Sequence, residues 1–483
     1  MTYPQAIAYL YELQRFGVKL GLENIRRLLT AVGDPHRRFP SILIGGTNGK
    51  GSTAVFLASI LTTAGYRVGL YTSPHLLDFT ERIRIDGEAI AHADVARLTD
   101  ELRSVVTDIF LAPHTSHPAP RTVSHPTFFE VTTALAFLHF ARRKADFAVV
   151  EVGLGGRFDA TNLLDPEVAV ITNIALEHED YLGKTLGAIA SEKAGIIKEG
   201  ARVVTATDAP EALAVIAEAC HNRGATLFDV RATCDWKVTR SDLSGQRFVV
   251  AQAGHQTEEF CIRLLGRHQV TNAVTALAVA RLLRTRADAI SEPAIRDGLY
   301  RTRWPGRLHL FPGHPLVILD GAHNPAGAKA LRAFLEEQRF AGRLILVFGV
   351  LQDKDWIAML QELGPLAKRV ILTRPESERA ADPRGLVEAE RFCSKLEILE
   401  DVAEAITLAR SVADPEDAVV VTGSLFIISA ALRGIGDFTD WLLVISSFAD
   451  RHRKAPTLLE NDTHRADLRR LIVQGEIGVS QLT

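Results

Sequence analysis

The chain has 483 residues, more than a single hydrophobic core ordinarily serves, so two domains are expected. Apolar residues make up 47% and charged residues 23%, which excludes a disordered chain, and no run reaches the about 18 consecutive apolar residues of a membrane-spanning helix. A net charge of -3 excludes a general basic field for nucleic acid but allows a local anion pocket.

The N-terminal run MTYPQAIAYLYELQRFG mixes Glu, Gln and Arg into its apolar positions and lacks the core of a secretory signal, so the chain is expected in the cytoplasm. From about residue 41, β-rich runs alternate with helical stretches: SILIGG, a helix through Leu61, RVGLYTS, FAVVEVG, EVAVITN and ARVVTAT. Such alternation predicts βαβ units around a parallel sheet. Residues 112–126, rich in Pro, His, Ser and Thr, read as a surface loop. Between Cys234 and Leu265 the short segments WKVTR, RFVVAQA and FCIRLLG predict a small antiparallel patch, and QVTNAVTALAVARLL restores a helix. After WPGR at 304–307 a second alternating series begins: LVILD, a helix from Ala326, RLILVFGV, KRVILTR, a helix near Val387, KLEILED and AVVVTG. The expected division is a domain over 1–300, a smaller one over 301–440 and a charged peripheral tail over 441–483. Cys220, Cys234, Cys261 and Cys393 lack CxxC spacing and read as structural thiols.

The run GGTNGKGST, Gly45 to Thr53, follows a β-rich segment and opens a helix. That is the setting of a phosphate loop: glycines let backbone amides converge on phosphate oxygens, the helix N-terminus adds positive potential, and Lys50 adds a full charge. One feature departs from the usual pattern, because Gly51 separates Lys50 from Ser52, where a metal-holding hydroxyl ordinarily follows the lysine at once. Ser73, just after the next β-run, is a candidate replacement, and a plain turn residue is an equal reading. Glu151 ends FAVV before GLGG, a good place for a hard oxygen ligand to magnesium. GLGG itself does not meet the dinucleotide pattern. By itself, His178 reads as a surface histidine among acids more readily than as a ligand, and Lys193 reads as a solvated helix lysine.

Together, GTNGKGS at 46–52, TSPHL at 72–76, EVGLGGRFDATN at 151–162, SEKAGIIK at 191–198, GRHQVTNAVTALA at 266–278, WPGR at 304–307 and DGAHNP at 320–325 closely resemble the folylpolyglutamate synthase and dihydrofolate synthase family of the Mur ligase superfamily. The resemblance covers residues from about 20 to 433. It implies an α/β protein, with a P-loop parallel-sheet ATP-binding domain followed by a smaller Rossmann-like α/β domain, the Mur ligase central and C-terminal domains. It also implies that Thr47, Asn48, Gly49, Lys50, Gly51 and Ser52 bind ATP phosphates, that Asn272 lies near the adenine, and that Arg307, Asp320 and His323 reach in towards phosphate and ribose. Ser73, Glu151, His178 and Lys193, the last as a carbamate, are carried over as ligands of two magnesium ions, with a monovalent cation as a further candidate cofactor. Lys50, Lys193, His178 and Arg307 form the implied catalytic set; Phe128, Phe129 and Asp159 are the implied folate contacts. Glu177 stands where the family commonly has Asp before the metal histidine.

The expected reaction is ATP-dependent amide formation through an acyl phosphate, joining L-glutamate to dihydropteroate and to the γ-carboxyl of reduced folate. The expected partners are small molecules, with no nucleic acid or membrane, and the family expectation is a monomer. A single-activity folylpolyglutamate synthase is the nearest alternative, and a non-catalytic nucleotide-binding adaptor is a more distant one. A Mur-type ligase for a nucleotide-sugar peptide usually starts with a substrate domain of on the order of 100 residues, whereas only about 45 residues precede the phosphate loop here.

Overall fold

The fold is described from a computed structural model covering residues 1–435 except 18, 20, 112–124, 285–286 and 341–342. Most of the expected loop at 112–126, and the expected tail at 441–483, lie outside the described residues.

The larger sheet contains β1 (Ser41–Gly45), β2 (Val68–Tyr71), β3 (Ile83–Ile85), β4 (Glu88–Ala89), β5 (Phe147–Glu151), β6 (Val168–Ile171), β7 (Arg202–Thr205) and β8 (Thr226–Asp229), in the order β4-β3-β2-β5-β1-β6-β7-β8. All pairs from β2 to β8 are parallel, while β3 and β4 add an antiparallel edge. β1, β5 and β6 are buried along their whole length, which is why they are near-continuous apolar runs in the sequence. The pleat still sorts them by face: Ile42 and Ile44 of β1 join one core cluster and Leu43 the other.

A small antiparallel sheet follows, formed by β9 (Cys234–Asp242), β10 (Gly245–Gln252) and β11 (Glu258–Ile262). The second large sheet has the order β12-β13-β17-β14-β15-β16, from β12 (His309–Phe311), β13 (Leu316–Leu319), β14 (Leu344–Phe348), β15 (Ala367–Leu372), β16 (Leu396–Ile398) and β17 (Ala418–Thr422). Only β12 runs antiparallel to its neighbour. Leu344, Leu346 and Phe348 face one core and Ile345 and Val347 the other, so helices cover both faces.

The α/β architecture and the antiparallel patch agree with the sequence reading. Four strands of two to four residues, β3, β4, β8 and β12, were not expected; they are too short to show a strand period and lie at or next to sheet edges. The helix expected near Val387 is a 3-10 stretch, Pro383–Phe392, broken at Leu386; Gly385, just before the break, is a poor helix former. The four cysteines are free thiols. Among the described residues, no helix is long and apolar enough to cross a membrane.

The helix Lys50–Thr63 is apolar on most of its circumference because it lies between the large sheet and the helices Arg267–Leu283 and Glu292–Arg301. Gly298 sets the closest approach: a Cβ there would lie 2.5 Å from Ile60 Cα and 2.7 Å from Ile60 N, and the Ser59 hydroxyl donates to the Gly298 carbonyl at 2.7 Å. Because the obstruction is backbone, it cannot be relieved by a rotamer change. Gly298→Val is expected to destabilise the fold by about 1–3 kcal/mol through overpacking, read as a lower thermal midpoint beside the parent chain.

Candidate active site

The C-terminal ends of β1, β2, β5 and β6 open on one crevice, the usual ligand position in a parallel sheet. The loop after β1 is tied down residue by residue. The Thr47 amide donates to the Asn173 carbonyl at 2.8 Å, and the Thr47 hydroxyl bridges the carbonyl and amide of Ala175. The Asn48 amide donates to Asn173 Oδ1 at 2.8 Å, while the Thr172 hydroxyl donates to the Asn48 carbonyl at 2.7 Å. Gly49 has φ 82° and starts the helix; a Cβ there would collide with the Asn272 side-chain oxygen. Asn272 thus lies against the loop itself, and its amide nitrogen donates to Gln269. Lys50 Nζ donates to the Thr47 carbonyl at 2.9 Å, folding the charge back over the loop, and Ser52 is buried in the first turn.

Glu151, at the end of β5, is buried and accepts a hydrogen bond from the Ser73 amide at 3.0 Å. Burial pushes its carboxyl above the ordinary range, against the pull of Lys50, the Ser73 amide, Arg307 and Arg82. Lys193 is a correction to the residue-level reading: it is buried, not solvated, and its Nζ donates to the Gly46 carbonyl at 2.8 Å. The helical lysine points into the sheet rather than outwards, a direction its local sequence does not reveal. Burial, with nearby Lys50, pushes its amine down to about 7, and Glu177 and Asp159 oppose the shift.

His178 has φ 52° and caps the short helix Glu179–Leu182. Burial pushes its imidazole down to about 4; Glu177 opposes the shift while Lys354, Lys50 and Lys193 add to it. The neighbouring Glu177 is more deeply engaged than a flanking residue. Its Oε1 lies 3.1 Å from His323 Nε2 and 3.4 Å from Lys354 Nζ, both on loops leaving the second large sheet. Burial would raise this carboxyl, but the His323 hydrogen bond with the charges of His323, Lys50 and Lys354 holds it well below the usual range. A second bridge joins the loop after β1 to the His323 loop: Asn324 Nδ2 donates to Asn48 Oδ1 at 3.0 Å and Asn48 Nδ2 donates to Asn324 Oδ1 at 3.3 Å.

Arg307 donates from Nη1 to the Gly306 carbonyl at 3.1 Å; burial works against its charge, and Asp320 and Glu151 oppose that effect. Asp320 accepts from the amides of Leu308 and Ala322 at 2.9 and 3.0 Å, so both its oxygens hold backbone. His323 Nδ1 lies 2.9 Å from the Gly321 carbonyl. Phe128 and Phe129 begin the helix Phe128–Arg142 behind an N-cap at Thr127, which shares a capping box with Glu130. Phe128 meets Tyr11, Phe79 and the Arg82 guanidinium, the last at 5.3 Å from the ring centre. Phe129 occupies the space a Cβ on Gly153 would need, so that glycine of GLGG serves packing. Asp159 is buried and caps Ala160–Leu163, accepting from the Thr161 amide and hydroxyl and from the Leu154 amide.

Lys50 therefore lies between two groups: its charge acts on Glu151, which meets Ser73 and feels Arg307, and also on His178, Lys193 and Glu177, the last bonded to His323. Phe128 clusters with Tyr11 and Phe79. Sequence reading missed Lys354, although it follows an apolar strand, LILVF, as Glu151 follows FAVV; position after a buried parallel strand was the available signal.

Residues 44–280 match the Mur ligase middle domain and residues 306–425 the Mur ligase glutamate ligase domain, so the chain belongs to the Mur ligase family. Its relatives there include the dihydrofolate synthase/folylpolyglutamate synthase of Bacillus subtilis, 37% identical over 89% of this chain and 98% of that one. The Escherichia coli enzyme of the same name is 33% identical over 89% of this chain and 94% of its own. Among solved structures, E. coli FolC in complex with DHPP and ADP is 33% identical with TM-score 0.77, covering 89% of this chain and 97% of that one. Mycobacterium tuberculosis folylpolyglutamate synthase complexed with ADP is 34% identical with TM-score 0.80, covering 90% and 98%.

Replacing Glu177 by Leu strips the buried ammonium of Lys354 and the His323 ring of their shared carboxylate. The expected loss is about 3 kcal/mol, seen as a lower midpoint in thermal unfolding, with Glu177→Gln milder because its amide oxygen still accepts.

Proposed function

We propose that the protein is a bifunctional ligase that uses ATP to join L-glutamate to dihydropteroate and to the γ-carboxyl of tetrahydrofolate. The observation that carries this proposal is the phosphate loop braced from two sheets, with Glu151 and Ser73 on one side and Arg307, His323 and Asn324 on the other, in a chain of this family. In this reading residues 1–300 form the ATP-binding domain and residues 301–440 the smaller ligase domain. The protein works in the cytoplasm as a monomer.

Loop residues 47–52 hold the phosphates and Asn272 borders the nucleotide. Lys50 and Arg307 stabilise the charge that builds as the phosphoryl group moves to the acceptor carboxylate. Asp320 and His323 shape the nucleotide side from the second sheet, and Phe128, Phe129 and Asp159 form the acceptor side. A seam closed by Glu177 and Asn48 keeps water from the acyl phosphate until the glutamate amine attacks.

The donors fit magnesium. Among the described residues no three His, Cys, Asp or Glu side chains converge as a metal cage, but magnesium ordinarily takes one or two carboxylates and completes its shell with phosphate oxygens and water. Glu151 accepts a single amide hydrogen bond and has lone pairs to spare. Ser73, Glu151, His178 and carbamylated Lys193 would hold two ions; a monovalent cation is a further candidate. Bound magnesium would neutralise phosphate charge during transfer.

The Lacticaseibacillus casei relative, 35% identical over 89% of this chain and 98% of its own, is named folylpolyglutamate synthase alone, which keeps a single-activity enzyme in view. With Mg-ATP and glutamate, the purified protein is expected to release phosphate and form a glutamylated product, identified by mass, with dihydropteroate and with tetrahydrofolate. Product from tetrahydrofolate alone narrows it to the single activity, and product from neither overturns the proposal. Carbamylation has its own test, since only the neutral amine attacks CO2. At fixed CO2 pressure a 13C carbamate signal is expected to grow from about pH 6 to about pH 8 as the lysine deprotonates, and to vanish in Lys193→Arg.

A further inference from the structure

Trp304 lies in the segment between the helix Glu292–Arg301 and β12, and its indole nitrogen is buried without a hydrogen-bond partner. A buried hydroxyl can rotate towards a neighbour's lone pair; an indole N–H is donor-only and fixed by its ring. The ring is held in place, packed on the core beneath the large sheet with the Arg84 guanidinium 6.0 Å from its centre. Its edge meets the phosphate loop where the loop departs from the usual pattern. A Cβ on Gly51 would lie 3.3 Å from Trp304 Cζ2, 3.5 Å from Trp304 Nε1 and 3.4 Å from Glu151 Oε2. Trp304 and Glu151 thus fill the volume in which an ordinary phosphate loop places its hydroxyl side chain, and that explains why the residue after Lys50 is glycine.

Resting on the nucleotide-binding reading above, we propose that Trp304 is a substrate-binding residue whose indole N–H donates a hydrogen bond to the polyphosphate of bound ATP. Three observations point to the polyphosphate. The donor borders the first turn of the helix Lys50–Thr63, whose N-terminus has no side-chain cap, so its first backbone amides present positive potential there. Lys50 and Arg307 already bring positive charge to the site, so a neutral donor adds a phosphate contact without more repulsion. Trp304 also belongs to the connection leading to the second large sheet, so the contact links nucleotide occupancy to that segment's position.

The test uses the full chain with 15N-labelled indoles and Mg with β,γ-methylene-ATP, which does not react. The resonance that Trp304→Phe removes is expected to shift on adding the nucleotide and to stay still with dihydropteroate alone. Trp304→Phe, which keeps an aromatic ring but loses the N–H, is expected to bind the analogue about fivefold more weakly and to remain folded with a modestly lower thermal midpoint. A resonance unmoved by nucleotide, or moved by dihydropteroate alone, overturns the proposal, as does variant affinity equal to that of the parent. If Trp304→Phe fails to fold, Phe replacements at the other three tryptophans assign the signal by elimination and the parent titration decides. Failure of the ligase reading shows differently, as missing glutamylated product with analogue binding intact.

Discussion

Glu177 takes His323 and Lys354 onto one carboxylate oxygen, and the arrangement of the site depends on that contact. A buried carboxylate facing no partner would cost several kcal/mol in desolvation; here Lys50 lies on its own side, and both direct contacts come from the other sheet, so desolvation is offset in full only when the two sheets are in register. The reciprocal amide pair between Asn48 and Asn324 acts alongside it, adding direction but no charge. Both bridges end on the phosphate loop or on the strand exit beside it. The loop's geometry is therefore a property of two sheets.

Carboxylates act on the cations around that loop from nearby, but the direct hydrogen bonds of those cations are to backbone. Lys50 rests on a backbone carbonyl, Lys193 on another, and Arg307 on a third. Held this close in a partly dry site, they repel one another, which is one reason the Lys193 amine is driven down. Such clustering is unfavourable in the free protein, and under the proposed function an entering polyanion would relieve it.

Glycines set the spacing of these groups. Gly49 admits Asn272, Gly51 admits Trp304 and Glu151, and Gly153 admits Phe129. In each case the missing side chain makes room for a residue distant in sequence, so the GLGG run contributes packing and not a dinucleotide turn.

The buried strands were legible in the sequence because a strand covered on both faces must be an uninterrupted apolar run, as SILIG and FAVVE are. The phosphate loop was legible because glycines, lysine and a helix start are local requirements. From the same local logic came the position of Glu151 at a strand end. What neighbours along the chain do not encode is which way a side chain faces and what it meets. Lys193 in SEKAGIIK looks solvated until its helix is laid on the sheet, Glu177 looks like a flanking acid until His323 and Lys354 arrive, and Trp304 looks like a linker aromatic until its edge reaches Gly51. The sequence by itself determined the buried central strands, the loop and the chemistry available; the tertiary structure decided the short outer strands, the charge states and the partners, because desolvation and Coulomb interaction depend on distance in space and not on distance along the chain.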